Sequence, residues 1–134
     1  LTLIKNNDDT QIVSYKLARI IFAETGGVSL PIVEAMSSMI NNIHLKHNKS
    51  FESISTDSDL FECLNPKSPR YQNLSISAND RKFQMCLRVA TRMLHGNLGD
   101  MCRHATIFHR DTVLPDWAIA RGYILETDGI LFYL

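Results

Sequence analysis

Glu24 is the residue of this chain best placed for chemistry. It closes the run Leu17-Ala18-Arg19-Ile20-Ile21-Phe22-Ala23-Glu24-Thr25-Gly26-Gly27, in which Leu17, Ile20, Ile21 and Glu24 share one stripe of a helix of period 3.6. Three of the four are apolar and the fourth is a carboxylic acid. Gly26 and Gly27 follow at once, and glycine is the residue that most readily takes the left-handed conformation ending a helix. The spacing therefore predicts an acid on the buried face of a helix, in its last turn. Desolvation and the negative end of the helix dipole both disfavour the charged form of a glutamate there. That is the condition for a general acid working near neutral pH.

The other reactive side chains are less well arranged. His104 and His109 are an odd number of residues apart, so on one strand they face opposite ways. His44 and His47 can share a helix face, but no third ligand accompanies them, and no metal site is expected. Cys63, Cys86 and Cys102 contain no C-x-x-C pair, and nothing marks one of them as a nucleophile. A bridge from Cys63 to Cys102 stays open in an oxidising compartment. No glycine-rich phosphate loop or nucleophile elbow is present, and no cofactor is expected.

Three helices must position the acid. The first runs from about Ile12 or Ser14 to Thr25. Ser29 caps the second, Pro31 suits its first turn, and Ile32, Val33, Met36, Met39, Ile40 and Ile43 form its apolar face up to about His47. Asn79 or Asp80 starts the third, with Phe83, Cys86, Leu87, Ala90, Met93 and Leu94 on its stripe and Gly96 beyond its end. Between them, residues 48–79 lose periodicity, and Phe51, Ile54, Leu60, Phe61, Leu64 and Tyr71 are expected to pin this segment to the body. His104–His109 reads as a strand. Gly122–Glu126 and Ile130–Leu134 flank Asp128-Gly129, a strong hairpin signal. The sum is an α+β domain of three main helices and a small C-terminal antiparallel sheet, with residues 1–11 a peripheral arm on a single domain spanning 1–134.

Composition narrows the partners. The chain has 134 residues, 14 basic and 14 acidic, with a formal net charge of zero. Nucleic acid and anionic membrane surfaces select a basic surplus, so neither is expected as a partner. No apolar run reaches the ~18 residues of a membrane span. No basic-then-apolar export leader is visible in the sequence.

Four stretches, taken in order, resemble the SleB-type cell wall hydrolases, the spore-cortex-lytic enzymes and their relatives. Ala18 to Gly27 is similar to the family's "A-R-x-I-Y-A-E-A-x-G" helix end, and Asn42 closes the following helix as in the family. Phe61-Glu62-Cys63-Leu64-Asn65 looks like its "F-S-x-W-N" segment. Ala105-Thr106-Ile107-Phe108-His109 with Pro115-Asp116-Trp117-Ala118 looks like "A-T-x-Y-H … P-x-W-A", and Gly129-Ile130-Leu131-Phe132-Tyr133 is similar to "G-x-H-x-F-Y". The chain departs from the pattern at Val28, Leu60, Leu64, Ile107 and Leu131.

The resemblance implies a lysozyme-like fold and cleavage of the β-1,4 bond between N-acetylmuramic acid and N-acetylglucosamine in peptidoglycan. It implies a lytic transglycosylase with Glu24 as catalytic acid/base: the acid protonates the glycosidic oxygen, then takes the proton of the muramoyl C6 hydroxyl as the anhydro ring closes. Asn42, Phe108, His109, Trp117 and Tyr133 are expected to line the glycan groove. Glu62 is the best second carboxylate, and if it activates a water the outcome is hydrolysis. A non-catalytic peptidoglycan-binding relative is the rival reading. The expected setting is the cell envelope, periplasmic or extracellular, with a monomer acting on glycan strands. Glu24 is expected in a groove between the second helix and the C-terminal sheet.

Overall fold

The computed structural model describes residues 12–134; the arm expected at 1–11 lies outside the described residues. The element order is α1 (Val13–Thr25), α2 (Leu30–His47), a short α3 (Phe51–Ile54), 3₁₀ turns at Glu62–Leu64 and Tyr71–Ser75, and α4 (Arg81–Leu94). A strand β1 (Ile107–Arg110), a 3₁₀ turn at Asp116–Ala118 and the strands β2 (Leu125–Thr127) and β3 (Ile130–Tyr133) complete it. The fold is α+β, with three long helices and a three-stranded antiparallel sheet in the order β1-β3-β2.

Helix α1 is the hub. It packs on α2, on α4 and on both 3₁₀ turns of the irregular segment. Burial is therefore wider than one stripe: Tyr15, Ala18, Ala23 and Thr25 are buried with Leu17, Ile20, Ile21 and Glu24. Gly26 ends the helix at φ 69°, its N–H donating to the Phe22 carbonyl at 2.7 Å. Gly27 continues at φ 59°, where an added Cβ would lie 2.8 Å from Lys82 Cβ on α4. Gly27→Ala should accordingly lower stability by about 1–3 kcal/mol, from the left-handed backbone and the collision together. Urea unfolding measures it, and a loss below ~0.5 kcal/mol would show that α4 yields freely.

The other caps follow the sequence. Ser29 accepts from the Ile32 N–H and also bonds Asp128 in the hairpin turn, tying the start of α2 to the sheet. Asp80 caps α4 by accepting from Lys82 and Phe83 N–H at 2.8 and 3.0 Å, so Asp80, not Asn79, is the cap. Asp128 and Gly129 both take positive φ, 50° and 80°, as a tight hairpin turn requires.

Three expectations are corrected. Tyr71 is 44% exposed and does not anchor the irregular segment; Ile54 and Phe61 are fully buried, and Leu74 and Ile76 pack against the core. The first strand begins at Ile107, because Arg103 and His104 take φ of 54° and 70° and the His104 N–H is held by the Asp100 carboxylate at 2.8 Å. The second strand starts at Leu125 and not Gly122: its register on β3 runs from Leu125–Phe132 to Thr127–Ile130, and before it only the Ile124 N–H reaches β3, at the Phe132 carbonyl.

Register then sorts the sheet. Phe108 pairs with Phe132 and Arg110 with Ile130, so these four lie on the face toward the helices. His109, Leu131, Ile107 and Tyr133 lie on the other.

Candidate functional site

Glu24 sits in the last turn of α1, and its side chain has no exposed surface. Two elements remote in sequence meet its carboxylate. Arg110, the last residue of β1, donates from Nη2 to Glu24 Oε1 at 2.7 Å, and the same nitrogen bonds the Glu24 main-chain carbonyl. The Cys63 N–H, in the Glu62–Leu64 turn, donates to Oε2 at 3.0 Å. Both carboxylate oxygens thus have a donor, one of them charged. Burial and the helix end were legible in the sequence; the Arg110 counter-charge was not.

The expected neighbours of Glu24 are also corrected. Its carboxylate lies between the Glu62–Leu64 turn and β1, and makes no bond to α2. The C-terminal turn of α1 abuts the irregular segment, and that segment fills the place assigned to α2.

A cleft of about 410 Å³ opens on the cation side of this pair. Glu62, Arg70, Phe108, His109, Arg110 and Trp117 are among its walls, and Glu24 is not. A second cleft, about 530 Å³, shares Asp59, Leu60, Phe108 and Trp117 with the first and runs on to Ile43 and His47 of α2. The two make one elongated groove along β1, an edge strand of the sheet, with Phe108 and Trp117 shared by both halves. Arg110 separates Glu24 from it. Glu62 is 58% exposed and pairs with Arg70 at 2.9 Å.

Phe108, His109, Trp117 and Glu62 therefore reach the groove; Tyr133 and Asn42 do not. Tyr133 lies behind Trp117 with the rings edge-on, centroids 5.1 Å apart, and stacks on His109 at 5.3 Å. The His109 ring bonds the Arg110 carbonyl through Nδ1 at 2.7 Å and Tyr133 Oη through Nε2 at 2.8 Å. A carbonyl only accepts, so Nδ1 carries the proton; in the neutral ring Nε2 then accepts from the Tyr133 hydroxyl. Asn42 is buried and donates to the Ala105 carbonyl at 3.0 Å and to Cys102 Sγ at 3.3 Å. With Ser38, which bonds Gly99 and Met101, it ties α2 to the loop leading into β1. Its amide nitrogen is spent on Ala105 and Cys102, which corrects its placement in the groove.

Sequence reasoning misses Arg110, Arg70 and Asp59. For Arg110 there was a signal: next to His109 on a strand, it must face the opposite side. A charged residue aimed at a core requires a buried partner, and Glu24 is the one available.

The three cysteines are buried free thiols, so the open bridge between Cys63 and Cys102 is not formed. Burial, then the adjacent Glu24 charge, pushes the Cys63 thiol well up. Burial pushes Cys86 and Cys102 up to about 12, helped by Asp80 and Asp100 respectively. A thiol reagent at pH 8 should therefore label none of the three in the folded protein and all three after denaturation. Rapid labelling of one native thiol would contradict this burial. Among the described residues no group of three or more His, Cys, Asp or Glu side chains is gathered to hold a metal ion. No described helix is long and apolar enough to cross a membrane.

Comparison with protein-family models, with curated proteins and with solved structures finds no match for this chain.

Proposed function

We propose that this chain is a peptidoglycan-cleaving enzyme of the SleB type, with a lysozyme-like fold and Glu24 as its general acid/base. One observation supports the reading above the rest. The carboxylate of Glu24 is buried at a helix end directly behind an elongated groove with an aromatic floor. Pyranose rings pack their C–H faces on aromatic side chains, and a groove open along its length suits a polymer. Trp117 and Phe108 would seat the sugar, and Glu24 would protonate the glycosidic oxygen and then receive the proton of the C6 hydroxyl. The substrate supplies the nucleophile, so the product is an anhydromuramoyl end. Glu62 is exposed and has Arg70 beside it, so nothing in the cleft tunes it as a base for water; transglycosylation is taken as the first outcome and hydrolysis through Glu62 as the alternative. The reading implies a monomer working on glycan strands at the cell envelope.

A second reading has its own support. While Arg110 stays on Glu24, the acid touches nothing in the groove, as in a binding module that has lost turnover. Incubation of the protein with peptidoglycan sacculi and mass analysis of released muropeptides separates the two. Anhydro ends support the transglycosylase, reducing ends the muramidase. Retention on sacculi without release supports the binding module, and neither retention nor release defeats both.

A further inference from the structure

The ion pair between α1 and β1 leaves Glu24 unable to act in the state described, and the residue that must yield is Arg110. Its side chain is 17% exposed and forms part of the cleft wall, whereas the Glu24 side chain is fully covered. Both of its bonds to Glu24 leave from one nitrogen, Nη2. Its other nitrogens bond none of the described residues, the side chain lines the cleft, and a guanidinium binds a carboxylate best through two parallel N–H donors. The other cation of this cleft, Arg70, already holds Glu62 at 2.9 Å, and Asp59 stands at the rim. Within this cleft Arg110 is the cation with bonding capacity left; Arg121, on the second cleft, lies over the Trp117 ring at 5.7 Å from its centroid.

Resting on the peptidoglycan reading above, we propose that Arg110 is the specificity-determining residue of the groove: it binds a carboxylate carried by the substrate, and in doing so releases Glu24. A carboxylate seated on the free edge competes with Glu24 for the same guanidinium. As the cation turns toward the ligand, the buried Glu24 carboxylate loses its counter-charge. Protonation from the water then admitted removes the unpaired charge, and the protonated form is the one that donates to a leaving oxygen. Neutral glycans of the same backbone lack the group that frees the acid. Arg110 acts through Glu24 and is a positioning residue in that role.

Trp117 is the single tryptophan of the chain and belongs to both halves of the groove, so its fluorescence reports occupancy directly. The probes are peptide-free peptidoglycan strands with free lactyl carboxylates, the same strands with their carboxyls reduced to alcohols, and peptide-bearing strands. Wild type should bind carboxylated strands about tenfold or more tighter than reduced ones. The tighter of peptide-free and peptide-bearing strands tells whether the lactyl group or the peptide supplies the carboxylate. Glu24→Gln/Arg110→Gln, which removes both charges and orphans neither, should bind all strands at the weaker level. Arg110→Lys, which keeps a cation, should retain part of the preference. Equal binding of carboxylated and reduced strands by wild type overturns the proposal, as does preference persisting in the double variant, or no binding at all. If the preference is found but no strand is cleaved, the enzyme reading fails and the role of Arg110 stands. If strands are cleaved without preference, the reverse holds.

Discussion

Glu24→Gln should lower muropeptide release from sacculi by about 10²–10⁴-fold, the usual contribution of a positioned general acid. Glutamine keeps the shape of the side chain and cannot deliver a proton. It also has a structural cost that the geometry defines. Two donors, Arg110 Nη2 and the Cys63 N–H, meet the two carboxylate oxygens. An amide offers one oxygen and one NH₂, so one donor will face another donor, at a cost of about 1–3 kcal/mol. Activity must therefore be compared at a temperature where both proteins are folded, with circular dichroism confirming it. A Glu24→Gln protein that is folded and retains wild-type release would remove Glu24 from the chemistry and end the proposed mechanism.

Arg110→Met should destabilise the fold by about 3–5 kcal/mol, the range for breaking a buried ion pair by removing one partner. Methionine fills most of the volume but leaves the Glu24 carboxylate, whose side chain has no exposed surface, without its cation. That is a large share of the ~5–15 kcal/mol that holds a typical domain together. The loss should fall well below this range when Glu24→Gln is already present, because the amide then gives its oxygen to the Cys63 N–H and no charge is left unpaired. Urea midpoints for wild type, the two single variants and the double variant form a cycle whose coupling term measures the pair. A coupling under ~0.5 kcal/mol would mean that solvent screens the pair and that Arg110 does not guard Glu24.

The helices were legible because their signals are local. Leu17, Ile20, Ile21 and Glu24 repeat at the helical period, Ser29 and Pro31 announce α2, and Asp128-Gly129 marks the hairpin. Each is a relation among residues within a few positions of one another, where backbone geometry leaves few options. The irregular segment was less legible. Its residues have no period, so nothing in the sequence tells buried Phe61 from exposed Tyr71.

Site residues divide along the same line. The burial of Glu24 followed from its stripe and the glycines behind it. Asn42 does not close α2 as the family pattern suggested, since the helix runs on to His47 with Asn48 as its cap, and its amide is claimed by Ala105, 63 positions away. Arg110 meets Glu24 across 86 positions, a contact that no periodicity encodes.

What the sequence by itself determined is therefore the secondary structure of the long helices, the terminal hairpin and the presence of one acid on a buried helix face. What only the tertiary structure decided is the environment of that acid: its two donors, its cover and the groove beyond. Burial is a property of one residue and its stripe. Charge compensation depends on which strand arrives opposite, and that is set by packing α1 against the sheet and the irregular segment together.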